Sequence, residues 1–351
     1  MPNPFAFGGR ITDPSHFVGR KLELQRIFGG LETSVTGQLQ HISIVGSRRI
    51  GKSSLLYHTT QIYGQQLQHP EKYRFVYVDL DNAHCHTLNG LLAFILTKLE
   101  LQHPKSPTLA QFQEAIEQIH QKHGIYVVLC LDEFEHLTKR KEQFPNEVFE
   151  VWRSLGSNSR VAFVTASQTS LGELIQLGNL TSTFHNIFTY LPLGVFTEDD
   201  ANNLLGLNTD RPFTSNEKRQ LIALSERNPA KLQIAASLLY QSKYNKIVDW
   251  RKLRGEYERQ INSSFQQSEL SINKKFDWLE KRVKVILTGP YYLGRLVLDL
   301  FGRHEAKDSS ATMLGWAIIG IIGAILLGVL NTNSTLELLK QIWRFFVPDN
   351  P

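Results

Sequence analysis

Only two cysteines, Cys85 and Cys130, occur in the chain, so no disulfide framework can staple it and a reducing compartment suits it. There is no low-complexity tract and no internal repeat, which excludes a solenoid array. The amino terminus, MPNPFAFGGRITDP, lacks the charged-then-apolar pattern of a secretory leader, so the bulk of the chain is expected to stay where it is made. No Ser-His-Asp or Cys-His arrangement has supporting context, and no protease or nuclease motif is legible. Lys and Arg are absent from residues 161–210. What remains is an ordinary globular composition, 42% hydrophobic and 20% charged, in 351 residues, long enough for one large or two modest domains.

The net charge of +5 is uneven, because residues 250–308 hold 12 Lys and Arg against 8 Asp and Glu. That basic stretch precedes an apolar tail, which favours a segment lying near anionic lipid headgroups. A nucleic-acid contact is the less favoured reading, since no Arg-rich recognition helix accompanies the charge.

From Ser309 to Thr335 there is no charged residue, and MLGWAIIGIIGAILLGVL is almost wholly apolar. A helix of about 20 such residues spans a bilayer core of roughly 30 Å, and no polar stripe marks it as a buried globular helix. The spacing therefore predicts a single carboxy-terminal membrane span over 309–335, followed by an interfacial tail over 336–351. Gly320, Ala324 and Gly328 share one face of it, as a self-association surface would, though small residues are also common in membrane helices. Flanking Arg295, Arg303 and Lys307 against Lys340 and Arg344 lean toward a cytoplasmic amino-terminal side.

The stretch ISIVGSRRIGKSSLLYH carries the clearest chemistry. Gly46, Ser47, Arg48, Arg49, Ile50, Gly51, Lys52 and Ser53 fit G-x-x-x-x-G-K-[ST] without departure, between an apolar strand and a helix-like run opened by Ser54. Glycines let the backbone wrap so that its N–H groups face phosphates, and the following helix terminus adds partial positive charge. Lys52 is placed to reach the β- and γ-phosphates, and the Ser53 hydroxyl to ligate Mg²⁺. ATP and Mg²⁺ are the expected cofactors, and ATP puts this part of the chain on the cytoplasmic side of the membrane.

An apolar run, IYVVLCLDEFEHL, ends in Asp132 and Glu133. A carboxylate at the carboxyl end of a parallel strand points into the ligand crevice, so Asp132 is expected to hold Mg²⁺ and Glu133 to orient and deprotonate water. Glu135 is read as solvated. YRFVYVDL, RVAFVTAS and NIFTYLPL continue the rhythm of strand and helix, predicting an α/β fold: a parallel P-loop sheet covered by helices on both faces.

At these residues the chain resembles AAA+ and STAND-type P-loop ATPases, especially the prokaryotic origin-recognition and NACHT-like group. Phe17-Val18-Gly-Arg20 is similar to that family's amino-terminal box, which implies Phe17 and Val18 as contacts to adenine. LPLGVFTEDDANNLL resembles the crossing into a helical lid, and Arg227-Asn228-Pro229-Ala-Lys231 the lid motif, implying Pro229 near the base and Lys231 as a sensor. Ser167 and Gln168 stand where polar sensors lie in relatives. The resemblance covers about residues 14–245. A homo-oligomer with an unidentified protein partner is expected, and the chain is expected to divide into a core over 1–195, a lid over 196–245, a helical stalk over 246–308, and the span and tail.

The departures are informative. Arg227 stands where glycine is usual in the lid motif. The interval without Lys or Arg is where AAA+ rings usually carry an arginine finger, leaving Arg153 and Arg160 as substitutes. A missing finger slows hydrolysis by several powers of ten, so the expectation is a slow nucleotide-dependent switch at a membrane. The alternatives are a nucleotide-tuned membrane tether for DNA and an ATP-binding scaffold without significant hydrolysis. His84-Cys85-His86 is read as a loop rather than a metal site, and Lys139-Arg140-Lys141 as a solvated face.

Overall fold

The computed structural model describes residues 3–5, 8–32, 38–244, 248–263 and 265, with Met313, Trp316 and Ala317. The chain divides into two compact units, Met1–Ser264 and Phe265–Pro351. The expected span at 309–335 and tail at 336–351 lie outside the described residues, those three apart. Among the described residues no helix is long and apolar enough to cross a membrane.

In the first unit, β1 (His41–Val45), β2 (Tyr73–Asp79), β3 (Tyr126–Asp132), β4 (Val161–Ser167) and β5 (Phe188–Pro192) form one sheet in the order β2-β3-β4-β1-β5. Every pairing is parallel. Helix α1 (Lys21–Glu32) precedes the first strand; α2 (Lys52–Gln66), α3 (Leu88–Lys98), α4 (Leu109–His123), α5 (Glu135–Lys139), α6 (Asn146–Ser157) and α7 (Leu171–Leu177) supply the crossovers, and together they cover both faces.

Strand alternation sorts the core. Val127, Leu129 and Leu131 of β3 pack with α3, α4, α6 and α7, whereas Val128 and Cys130 face α1 and α2. On the first face Trp152 and Phe163 stack at 5.5 Å, and Phe184 meets Phe163 edge-on at 5.2 Å. Each such fully buried side chain contributes about 1.5–3 kcal/mol. Because all strands run the same way, the carboxyl ends of β1, β3 and β4 gather at one edge, and the residues following them can share a site.

Three further helices follow β5: α8 (Glu198–Leu205), α9 (Ser215–Ser225) and α10 (Pro229–Tyr244). Thr197 and Thr214 start the first two through capping boxes with Asp200 and Glu217. Helical residues 250–263 continue this packing: Leu253 and Tyr257 are buried, and the Tyr257 hydroxyl donates to the Leu224 carbonyl at 3.0 Å. The first part of the stretch expected as a stalk therefore rests on α9.

Candidate nucleotide site

The loop after β1 is shaped by what cannot fit. A Cβ on Gly46 would lie 2.7 Å from the Leu193 carbonyl oxygen and 2.9 Å from Ile50 Cγ2, so only glycine lets the chain pass. The Gly46 N–H donates to the Ser167 carbonyl at 3.2 Å, tying the loop to β4. Arg49 at φ 60° and Gly51 at φ 101° then turn the main chain so that successive amides face one concavity. Helix α2 opens at Lys52 with no side-chain cap, leaving its first N–H groups for a ligand.

Lys52 is buried and its Nζ donates to the carbonyls of Gly46 at 2.9 Å and Ser47 at 3.1 Å. Burial lowers its pKa, while Glu133, Glu135 and Asp132 pull in the opposite direction. Asp132 ends β3; its Oδ1 accepts the Glu133 N–H at 3.0 Å and its Oδ2 accepts the Tyr77 hydroxyl at 2.6 Å. The Ser53 hydroxyl also hydrogen-bonds this carboxyl, whose pKa burial raises.

Those contacts test the fit of Mg²⁺. Ser53 and Asp132 offer adjacent hard oxygens, and burial disfavours a charge on Asp132 that a divalent cation would stabilise. Among the described residues no cluster of three His, Cys, Asp or Glu side chains could hold an ion alone. Mg²⁺ commonly takes one or two protein oxygens and completes its shell with phosphates and water, so the residues present suit it.

Glu133 adopts φ 54°, a left-handed conformation that costs a non-glycine residue about 1–3 kcal/mol. The turn aims its side chain into the crevice, where burial, then Glu135 and Asp132, raise its pKa. Glu135, expected to be solvated, is instead buried; its Oε1 accepts the Gln168 N–H, and its Oε2 has no hydrogen-bond partner among the described residues. The short helix α5 turns it back under the end of β4, a fold-level consequence that spacing alone does not show.

These parts surround a cavity of about 610 Å³. Arg48 to Ser54 form its floor, Phe17, Val18 and Arg20 one wall, Glu133 the side, and Pro229, Ala230, Gln233 and Ile234 of α10 the opposite wall. The ring of Phe17 stacks on His58 of α2 at 4.1 Å, which fixes that wall. Gly46 and Ser47 shape the loop from behind. Of the sensor candidates, Ser167 is buried with its hydroxyl donating to the Thr169 carbonyl at 2.7 Å, and Gln168 is held by Glu135. Lys231 lies 4.0 Å from Glu226, on the side of α10 away from Pro229 and Gln233, so Gln233 and Ile234 line the cavity in its place.

Sequence reading missed the strap of Gly8 to Ile11, which also lines the cavity, and His136, whose Nε2 is 2.8 Å from Asp81 Oδ1. Only the Gly8-Gly9 pair before Arg10 hinted at the strap. Arg160 precedes β4 at the amino end of the sheet, the edge opposite the phosphate loop, and Arg153 is exposed on α6. Neither can reach the cavity of its own chain. Cys85 is buried in the core, and His86 Nε2 is 3.1 Å from the Asp81 carbonyl, which leaves that triplet structural.

Residues 36–175 match the family described as AAA domain. No curated protein matches the chain. Among solved structures, the Aeropyrum pernix ORC2 protein in its ADPNP-ADP complexes is similar with a TM-score of 0.60 and 13% identity, over 100% of this chain and 85% of that one. Its ADP form gives 0.54 and 14% identity, over 72% and 71%. The Walker-type ATPase paby2304 of Pyrococcus abyssi gives 0.52 and 13%, over 97% and 93%. At such identities the likeness is one of fold. Sequence match and geometry coincide on the same stretch: residues 36–175 are similar to an AAA domain, and the parallel five-stranded sheet with its helices fits a P-loop NTPase fold.

Proposed function

We propose that the protein binds ATP with Mg²⁺ between its sheet and α8–α10, hydrolyses it slowly, and uses the bound state as a switch for self-association or partner binding at a membrane. The observation that carries this reading is the single cavity that joins the phosphate loop, Glu133, the Phe17–Arg20 box and the face of α10. In this scheme Lys52 leaves its loop carbonyls for the β- and γ-phosphates. Glu133 orients the attacking water and takes its proton. Bound Mg²⁺, held through Ser53 and Asp132, supplies charge neutralisation at the phosphates. Phe17, Val18 and Pro229 offer apolar surface to a base. That a structure of the same fold carries ADPNP and ADP supports the choice of nucleotide.

The absence of Lys and Arg from 161–210 supports slow turnover. The apolar stretch 309–335 supports a single membrane anchor with the AAA domain on the cytoplasmic side, and the basic pair of the phosphate loop a kinship with STAND and NACHT-like switches. Calorimetry of wild type and Lys52→Ala tests the core of the reading: ATP binding should be lost in the variant, and equal affinities would refute it. Glu133→Gln should retain ATP while phosphate release falls to background. Alkaline extraction of membranes should leave the chain in the pellet until residues 309–351 are deleted. Self-association is read from the size of the detergent-solubilised chain with ADP and with a non-hydrolysable ATP analogue, which should differ.

A further inference from the structure

Tyr77 sits on β2 opposite Cys130 of β3, two residues before Asp79, which pairs with Asp132. Its phenol therefore lies on the α2 face of the sheet and extends toward the strand ends. There the hydroxyl donates to Asp132 Oδ2 at 2.6 Å, a short bond to a carboxylate that already receives the Glu133 N–H on Oδ1. With both oxygens held, the plane of the carboxyl is fixed relative to Ser53.

The other side of the phenol is held as well. The Arg10 guanidinium lies 4.5 Å from the Tyr77 ring centroid and 4.8 Å from that of Tyr57, and the two rings meet edge-on at 5.7 Å. Arg10 Nη1 is 3.8 Å from Asp79 Oδ2. Arg10 belongs to the strap that lines the cavity, and the next residue is pinned to α2 on both sides: the Ile11 N–H donates to Ser54 Oγ at 2.9 Å, and His58 Nε2 lies 3.0 Å from the Ile11 carbonyl. The strap, α2 and the metal-holding acid are thus joined by Arg10 and Tyr77 in series.

We infer that Tyr77 is a positioning residue that sets the Asp132 carboxylate for Mg²⁺, and that Arg10 holds Tyr77 in place from the strap. This rests on the reading of the cavity as an ATP site, and it assigns a role outside the phosphate loop and acidic strand. Tyr77 is not among the residues lining the cavity, so its loss should leave contacts to the nucleotide intact.

The test is ATP binding to the purified full chain by calorimetry, in EDTA and across a Mg²⁺ titration, for wild type, Tyr77→Phe and Arg10→Met. In Tyr77→Phe, affinity in EDTA should match wild type, while the Mg²⁺ concentration giving half of the metal-dependent gain should rise roughly tenfold. Arg10→Met, which loses the stacked cation, should shift the same midpoint by about threefold. A merely structural tyrosine would weaken binding in EDTA and in Mg²⁺ by the same factor, and that result overturns the proposal. So does an unchanged Mg²⁺ midpoint in both variants. Should Tyr77→Phe not fold, the Arg10→Met midpoint decides alone. A wild-type chain that binds no ATP removes the reading of the site itself, and the role of Tyr77 with it.

Discussion

Arg20 Nη2 donates to the main-chain carbonyl of Ile50 at 2.9 Å, so the amino-terminal box grips the phosphate loop along the cavity wall. The same nitrogen donates to the Gly194 carbonyl at 2.8 Å, just past β5, and the guanidinium lies 4.9 Å from the Phe196 ring centroid. Nη1 bonds Glu23 Oε1 at 3.0 Å. Gly19 at φ 74° and Arg20 at φ 62° make the tight turn that buries this side chain. One cation thus holds three pieces of chain that are distant in sequence.

Arg20→Ala should therefore destabilise the first unit by about 2–4 kcal/mol, because the buried Ile50 carbonyl and the partly buried Gly194 contact lose their donor and Glu23 its partner. Arg20→Lys should recover less than half, since an ammonium cannot reproduce the planar fork. Urea unfolding of the three proteins measures both. ATP affinity should fall in parallel, and a variant as stable as wild type would contradict the geometry.

Gly46→Ala gives a sharper test of the phosphate loop. The added methyl would meet the Leu193 main-chain oxygen at 2.7 Å, which no side-chain rotation relieves. Loop displacement should cost about 1–3 kcal/mol and weaken ATP binding by roughly tenfold or more. Gly64→Ala, where nothing lies within 4 Å of the new carbon, serves as the control and should bind normally.

His41 makes stability depend on pH. It is buried at the start of β1, accepts the Phe163 N–H on Nδ1 at 3.1 Å, and hydrogen-bonds the Gly156 carbonyl with its other nitrogen. Burial lowers its pKa to about 4 from the ordinary histidine value of 6.5. The unfolded chain then binds the extra proton between those values, so this contribution is complete above pH 6.5 and is lost as pH falls toward 4. At pH 5 the loss from this group is about 2 kcal/mol. His58, His120 and His136 are lowered by burial too and act with the same sign. Denaturant melts at pH 7.5 and pH 5 should show a smaller difference in His41→Gln than in wild type.

Both thiols should be inert in the folded chain. Cys85 and Cys130 are fully buried, and burial pushes Cys85 up to about 11 and Cys130 higher still, removing the thiolate that reacts. Ellman's reagent should titrate neither at pH 8 until denaturant is added, and then both. Rapid labelling of Cys85 in native protein would show that the residues around it are not packed as described.

Local patterns in the sequence determined the phosphate loop, the Asp132–Glu133 pair and the parallel α/β class, because each is written in contiguous residues. G-x-x-x-x-G-K-S needs only its own backbone to form a concavity, and an apolar strand ending in acid needs only strand direction to reach the crevice. Phe17, Val18 and Pro229 were legible through resemblance, and the structure puts all three on the cavity.

Tertiary structure alone decided which neighbours share a face. Glu135 is buried because α5 folds back beneath β4, and Lys231 lies off the cavity because α10 docks with Pro229, Ala230, Gln233 and Ile234 toward it. The Tyr77–Asp132 bond depends on the register of β2 against β3, and the grip of Arg20 on Ile50 and Gly194 on three segments meeting. No local spacing encodes such contacts. They arise when packing against a common sheet fixes the relative positions of elements that the chain order leaves free.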